Sequence, residues 1–185
     1  MVIKKTMNHI KDIPAHIGWY IAGFVDGEGS FIISFRRRVD HRITWQTSLA
    51  FNTAQRDKTV LALMKHHLGC GRLQARKDGC WYFIVHNPQA IKERLIPFFE
   101  RFTFLSAKSK RNFSLFKKAA SIFFRGEHLS REGLLAIARI REDLNEGRGR
   151  TRKYTLSDVQ NTLDSNIPRD YTPNPNRLIA KRGMI

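Results

Sequence analysis

The chain has 185 residues, and its 33 Lys and Arg against 16 Asp and Glu give a formal net charge of +17, which calls for a polyanionic partner and makes nucleic acid the first candidate. Its length fits one medium domain or two small halves, and a 42% hydrophobic share with thirteen Phe supplies a real core and excludes a globally disordered chain. The apolar runs are too short and broken to cross a bilayer, residues 1–15 lack the apolar centre of a secretory signal, and Cys70 and Cys80 without CxxC spacing form no zinc site by themselves, so a reduced, intracellular protein with no membrane partner is expected.

Pro14 stands at a helix start, and Ile17, Tyr20, Ile21, Phe24 and Val25 recur at helical spacing, which predicts a first helix from Ala15 to Asp26. From Phe31 the period switches to two. Phe31, Ile33 and Phe35, then Ile43, Trp45, Leu49 and Phe51, alternate with polar residues and predict two strands joined by an Arg-rich turn. Lys58 to Leu68 reads as a helix stopped by Gly69, followed by a second hairpin, Gly71 to Arg76 and Cys80 to His86, around Lys77-Asp78-Gly79. A short helix from Pro88 to Leu95 precedes a Phe-rich turn that begins at Pro97. Longer helices follow at Lys108 to Phe124 and Ser130 to Leu144, then a basic loop from Gly147 to Lys153 and a last helix from Ser157 to Leu163. The fold class is α+β, in the order α-β-β-α-β-β-α with a four-stranded antiparallel sheet. Residues 1–14 form an N-terminal extension, 15–165 the domain, and 166–185 a basic tail expected to be poorly ordered.

The polar face of such a sheet carries Ser34, Arg36, Arg38, Thr44, Gln46, Ser48, Asn52, Arg72, Gln74 and Arg76. Arg can form two hydrogen bonds to a guanine edge, Asn and Gln to an adenine edge, and a two-stranded ribbon fits the major groove of double-stranded DNA. Arg37, Arg42, Lys110, Arg111, Arg150, Arg152 and Lys153 are the expected phosphate contacts, which position a duplex without reading it.

The sharpest signal is Ile21-Ala22-Gly23-Phe24-Val25-Asp26-Gly27-Glu28-Gly29-Ser30-Phe31. This segment resembles the signature of the LAGLIDADG homing endonucleases, matching it at Ala22, Gly23, Asp26 and Gly29. Gly69-Cys70-Gly71 and the Lys108-Ser109-Lys110 region also fall where single-motif members have their counterparts, so the resemblance covers about residues 15–165. It implies a saddle-shaped sheet and, with one motif per chain, a homodimer that sets two motif helices side by side. Small residues four apart let helix backbones approach, and Gly18, Ile21, Ala22, Gly23, Val25 and Asp26 are the expected interface.

The resemblance makes Glu28 the metal ligand, aided by the Gly27 carbonyl, where most members have Asp. Asp26 then serves as a helix-terminal residue. Mg²⁺ suits oxygen ligands of this kind, and Ca²⁺ is expected to bind without supporting cleavage. Gln55, Lys58 and Lys108 match the family's peripheral catalytic positions, with Arg56 an alternative to Lys58. The seven His show no metal-binding spacing. The implied activity is a metal-dependent double-strand cut across a central minor groove of a long pseudopalindromic site, leaving cohesive 3′ ends. The rival is a binder on the same scaffold: a maturase acting on its own intron RNA, or a non-cleaving DNA-binding protein. Met1 at the start favours an intron reading frame, and the absence of a transit peptide places synthesis where the protein acts, at the host genome of an organelle or in a prokaryotic cytoplasm.

Overall fold

Pro14 fixes the start of the first helix, α1 (Ala15–Glu28), in a computed structural model that describes residues 9–38, 40–41, 43–145 and 152–165. Gly18, Ile21, Ala22 and Val25 recur every three to four positions and form one buried stripe along it. The helix runs two residues past the expected end, through Gly27 and Glu28, until Gly29 turns extended and donates its N–H to the Val25 carbonyl. Two glycines are required by close approach. A Cβ at Gly18 would lie 2.2 Å from the Phe102 ring, and one at Gly29 would lie 2.4 Å from the Val25 side chain.

Strands β1 (Gly29–Arg37) and β2 (Trp45–Gln55) pair antiparallel, from Gly29 opposite Thr53 to Arg37 opposite Trp45. With β3 (Arg72–Ala75) and β4 (Trp81–Val85) they form one antiparallel sheet in the order β1-β2-β4-β3. The expected strand from Ile43 is shorter. Ile43 and Thr44 belong to the connecting turn, where Thr44 has φ 62° and its carbonyl accepts the Arg38 N–H at 2.8 Å. Helix α2 (Lys58–Leu68) begins with the Asp57 carboxylate accepting the Thr59 N–H at 2.8 Å and packs beside β4.

The short helix expected to stop at Leu95 continues. A first turn, α3 (Pro88–Ala90), leads through a π-helical turn (Ile91–Leu95) into α4 (Ile96–Arg101). Pro97 lacks an N–H and crowds the carbonyl four residues back. The widened turn just before it, closed by the Ile96 N–H on the Ile91 carbonyl, lets the helix pass Pro97 instead of ending there.

This extension carries Phe98, Phe99 and, just after it, Phe102 and Phe104 into the core. The Phe31 ring stands at its centre, with centroids 5.0–6.0 Å from those of Phe51, Phe99, Phe104, Phe113 and Phe116. Phe113 and Phe116 come from α5 (Ala107–Phe124), which packs against α6 (Arg131–Asp143) and, through it, α7 (Leu156–Asp164). Ser106, Ser130 and Thr155 cap these three helices. The turn after α6 is fastened to the sheet by Asn145, which exchanges hydrogen bonds with Asn112 and donates to the Phe31 carbonyl at 2.7 Å. Among the described residues no helix is long and apolar enough to cross a membrane. Most of the N-terminal extension, the tail and much of the basic loop lie outside the described residues.

Candidate active site and nucleic-acid interface

One face of the sheet is covered by the helices and the other is open. On the open face Ser34 lies opposite Ser48, their hydroxyls 3.1 Å apart, Arg36 lies opposite Gln46, and Asn52, Ile84 and Arg72 form one row. Gln74 lies opposite Tyr82 in the next. Arg38 and Arg76 follow the ends of β1 and β3. The residues expected to read bases thus share a face, except Thr44, which sits in the turn. The period-two pattern also places Ile32, Ala50, Ile84 and Tyr82 there, and the expected reading set did not include them. Ile32, Tyr82 and Ile84 are half-buried there and Ala50 is buried.

The expected phosphate contacts divide. Arg37, Lys110, Arg111 and Lys153 are exposed, with the Lys153 ammonium 5.4 Å from the Tyr154 ring centroid. Arg42 and Arg150 lie outside the described residues. Arg152 is a correction. Its guanidinium donates to the carbonyls of Arg141, Glu142 and Leu144 at 2.7, 3.2 and 3.1 Å and to the Glu142 carboxylate at 2.5 Å. A cation there satisfies the open carbonyls at the negative end of α6, so Arg152 is a helix cap, not a phosphate contact.

The helix face expected to meet a second chain is also corrected. Gly18, Ile21, Ala22 and Val25 are packed into this chain's own core. Asp26 is engaged as well. Its carboxylate accepts the backbone N–H groups of Leu105 and Ser106 at 3.1 and 2.9 Å and the Ser106 hydroxyl, and its carbonyl accepts the Ser109 hydroxyl at 3.2 Å. The open stripe of α1 is Tyr20, Gly23 and Gly27, with Trp19 beside it. Nothing approaches within 4 Å of a Cβ built on Gly23 or Gly27, and Trp19 and Tyr20 are 48% and 56% exposed. Of the predicted interface residues, Gly23 remains on an open surface.

The catalytic candidates converge at one end of the sheet. Glu28 ends α1 immediately before Gly29, which faces Thr53, two residues before Gln55. Gln55 lies opposite Trp81, whose ring centroid is 4.3 Å from the Lys58 ammonium. The Gln55 side-chain oxygen accepts the Arg56 N–H at 2.9 Å. Asp26, two residues before Glu28, holds Ser106, two residues before Lys108, which brings the first turn of α5 to the same place.

Two helix ends here carry charge of their own sign. Glu28 puts a carboxylate at the negative end of α1, with no basic residue in the last turn. Lys108, Lys110 and Arg111 load the positive end of α5, with no acidic residue in its first turn. Each arrangement costs energy by itself, and each is relieved by an outside ion of the opposite sign: a cation at Glu28, an anion such as a phosphate at Lys108. The Glu28 carboxylate and the last-turn carbonyl of Gly27 are oxygen donors that fit a hard divalent cation. Among the described residues no group of three or more His, Cys, Asp or Glu is placed to hold a metal.

The chain is similar to the archaeal intron-encoded homing endonuclease I-Vdi141I solved in complex with DNA, at 30% identity and TM-score 0.74 over 80% of this chain and 94% of that one. It is 30% identical to homing endonuclease I-ApeII of Aeropyrum pernix over 54% of this chain and 59% of that protein. It is 26% identical to probable intron-encoded endonuclease 2 of Neurospora crassa, over 76% of this chain and 32% of that protein. The chain thus spans from a third to three fifths of the length of these two curated relatives. The LAGLIDADG endonuclease model matches residues 21–120, from the middle of α1 through most of α5. With the motif helix, the open sheet and the convergent polar end all inside or beside that span, the chain belongs to the LAGLIDADG endonuclease family.

Proposed function

We propose that this chain acts as a homodimeric, divalent-metal-dependent homing endonuclease that makes a double-strand cut in a long pseudopalindromic DNA site. The observation that carries the reading is the exposed Glu28 carboxylate at the C-terminal end of α1, a helix whose Tyr20, Gly23 and Gly27 stripe is open. Two such helices side by side bring two Glu28 carboxylates and two Gly27 carbonyls together, an oxygen-donor set that fits hard divalent cations. Mg²⁺ is the proposed ion. When bound it neutralises phosphate charge and favours ionisation of the attacking water.

The residues of the chain do the remaining work. The open sheet faces lie in successive major grooves and read bases, while Arg37 and Lys110 hold phosphates. Gln55 orients water at the sheet end, and Lys108, with Lys58 beside Trp81, offsets the charge that grows on the phosphate and its leaving oxygen. The two sites face opposite strands and leave cohesive 3′ ends. Intron-encoded relatives favour an intron-borne gene acting at its own host genome.

A plasmid library of candidate sites tests this reading. With Mg²⁺, sequence-defined double-strand cuts are expected. Glu28→Gln should abolish them while binding to the same site is kept, and Ca²⁺ should give binding without cutting. Tight, sequence-specific binding with no cut under any divalent cation would replace the nuclease by a DNA-binding protein.

A further inference from the structure

We propose that Arg38 and Arg76 are guanine readers held in aim by Asp40 and Tyr82, which makes Asp40 and Tyr82 positioning residues for sequence specificity. The inference rests on the DNA-cleaving reading above and deepens it.

The arginines around the open face differ in how they are held. Among the described residues Arg36, Arg37 and Arg72 make no side-chain hydrogen bond or ion pair. Arg38 donates from Nε to Asp40 Oδ1 at 2.9 Å, from Nη2 to Oδ2 at 2.5 Å and from Nη1 to Gln46 Oε1 at 3.3 Å. Arg76 donates from Nη1 to the Tyr82 hydroxyl at 3.1 Å, with its guanidinium carbon 5.1 Å from the Tyr82 ring centroid.

A planar guanidinium gripped in this way has a fixed orientation. Its unused N–H groups still form a fork, because Arg38 keeps one N–H on each terminal nitrogen and Arg76 keeps Nε and most of its terminal donors. That fork matches O6 and N7 of guanine in the major groove. A held side chain also has less rotamer freedom to lose on binding than a loose one.

The Asp40 carboxylate adds a second argument. It offsets the Arg38 charge and repels phosphate oxygens, so Arg38 is a poor phosphate clamp while remaining a good donor to a base edge. The loose arginines have the opposite character, a full charge on a mobile stem suited to the DNA backbone.

The two pairs sit at opposite ends of the face. Arg38 follows the row where Arg37 faces Trp45, and Arg76 adjoins the row where Gln55 faces Trp81. The path along β2 from Trp45 to Gln55 is about 33 Å at roughly 3.3 Å per residue. That is about ten base pairs at 3.4 Å each. The Arg76 guanine lies nearer the cut, since Gln55 shares its end of the sheet with Glu28, and the Arg38 guanine lies near the outer edge of each half-site.

Duplexes selected from a randomised pool test this, with the full chain and EDTA present so that bound DNA stays intact. The wild type should select guanine at two positions per half-site, about ten base pairs apart. Asp40→Asn and Arg38→Ala should weaken the outer guanine preference, and Tyr82→Phe and Arg76→Ala the inner one, each by about tenfold. Arg37→Ala should instead weaken all sequences alike and lower the salt dependence by about one phosphate. Uniform weakening by Asp40→Asn and Tyr82→Phe, or unchanged guanine preferences, would overturn the inference while leaving the nuclease reading in place. A wild type that selects no sequence would overturn both. Thermal melting of each variant keeps loss of fold apart from loss of readout.

Discussion

Asp26 holds Ser106 twice, accepting its backbone N–H at 2.9 Å and its hydroxyl on the other carboxylate oxygen, across 80 residues of sequence. Ser106 in turn caps α5, accepting the Ser109 N–H at 3.1 Å. A residue of the motif helix thus sets the start of the helix that bears Lys108. These hydrogen bonds give Asp26 a structural role at the end of α1 that requires no metal.

Burial by itself raises the Asp26 pKa, but the hydrogen bonds from Ser106, Ser109 and Leu105 outweigh it and hold the carboxyl below its ordinary 3.8. A carboxylate whose pKa is lower folded than unfolded stabilises the protein above the unfolded value, and that stability is lost as pH falls through the folded pKa. Urea midpoints measured from pH 5 downward should therefore fall below about pH 4 in the wild type, and Asp26→Asn should flatten that limb. At neutral pH the same variant should be less stable and should cut more slowly, with the loss in kcat and KM little changed. An equally steep acid limb in the variant would remove this role.

The two faces of α1 give opposite mutational outcomes. Gly23→Leu projects into open space within the chain, so it should leave the monomer folded and shift sedimentation velocity profiles from dimer to monomer. Gly18→Leu drives a side chain into the Phe102 ring and should lower chain stability by about 1–3 kcal/mol or more, read by urea unfolding. An undisturbed dimer with Leu at position 23 would show that the Tyr20, Gly23 and Gly27 stripe is not the interface.

Phe31→Ala removes the ring about which five others pack and should cost about 3–5 kcal/mol in equilibrium unfolding. The loss should appear as a lower urea midpoint with an unchanged slope. A cost within about 0.5 kcal/mol would mean that the surrounding rings collapse into the space.

Arg152→Ala strands the carbonyls of Arg141, Glu142 and Leu144 at the end of α6 and should destabilise the chain by about 1–3 kcal/mol. The salt dependence of DNA binding should stay as in the wild type. A salt slope lower by about one would return Arg152 to the phosphate contacts.

Much of the fold was legible because local rules and global packing agree. The switch from helical to alternating spacing, expected between Asp26 and Phe31, brackets the handover from α1 to β1 at Gly29. Ser130 marks a helix start through a side chain that accepts a backbone N–H, whereas the caps Ser106 and Thr155 stand ahead of the starts expected at Lys108 and Ser157. Pro97 misled the reading because a π-helical turn upstream absorbs its steric demand, and no local residue type announces that turn. Arg152 looked like part of a basic cluster, since charge density in a sequence does not tell whether a cation faces solvent or a helix end.

The sequence by itself determined the element types, the antiparallel hairpins, the polar face of the sheet by its period of two, and the motif that ties the chain to its family. Tertiary structure alone decided which face of α1 is open. Gly18 and Gly23 are the same residue type on one helix, and only the position of Phe102, 84 residues away, makes the first a packing contact and leaves the second exposed. It also decided which arginines are held and which carboxylate is engaged, because these depend on partners brought together by strand register and by a helix start 80 residues distant.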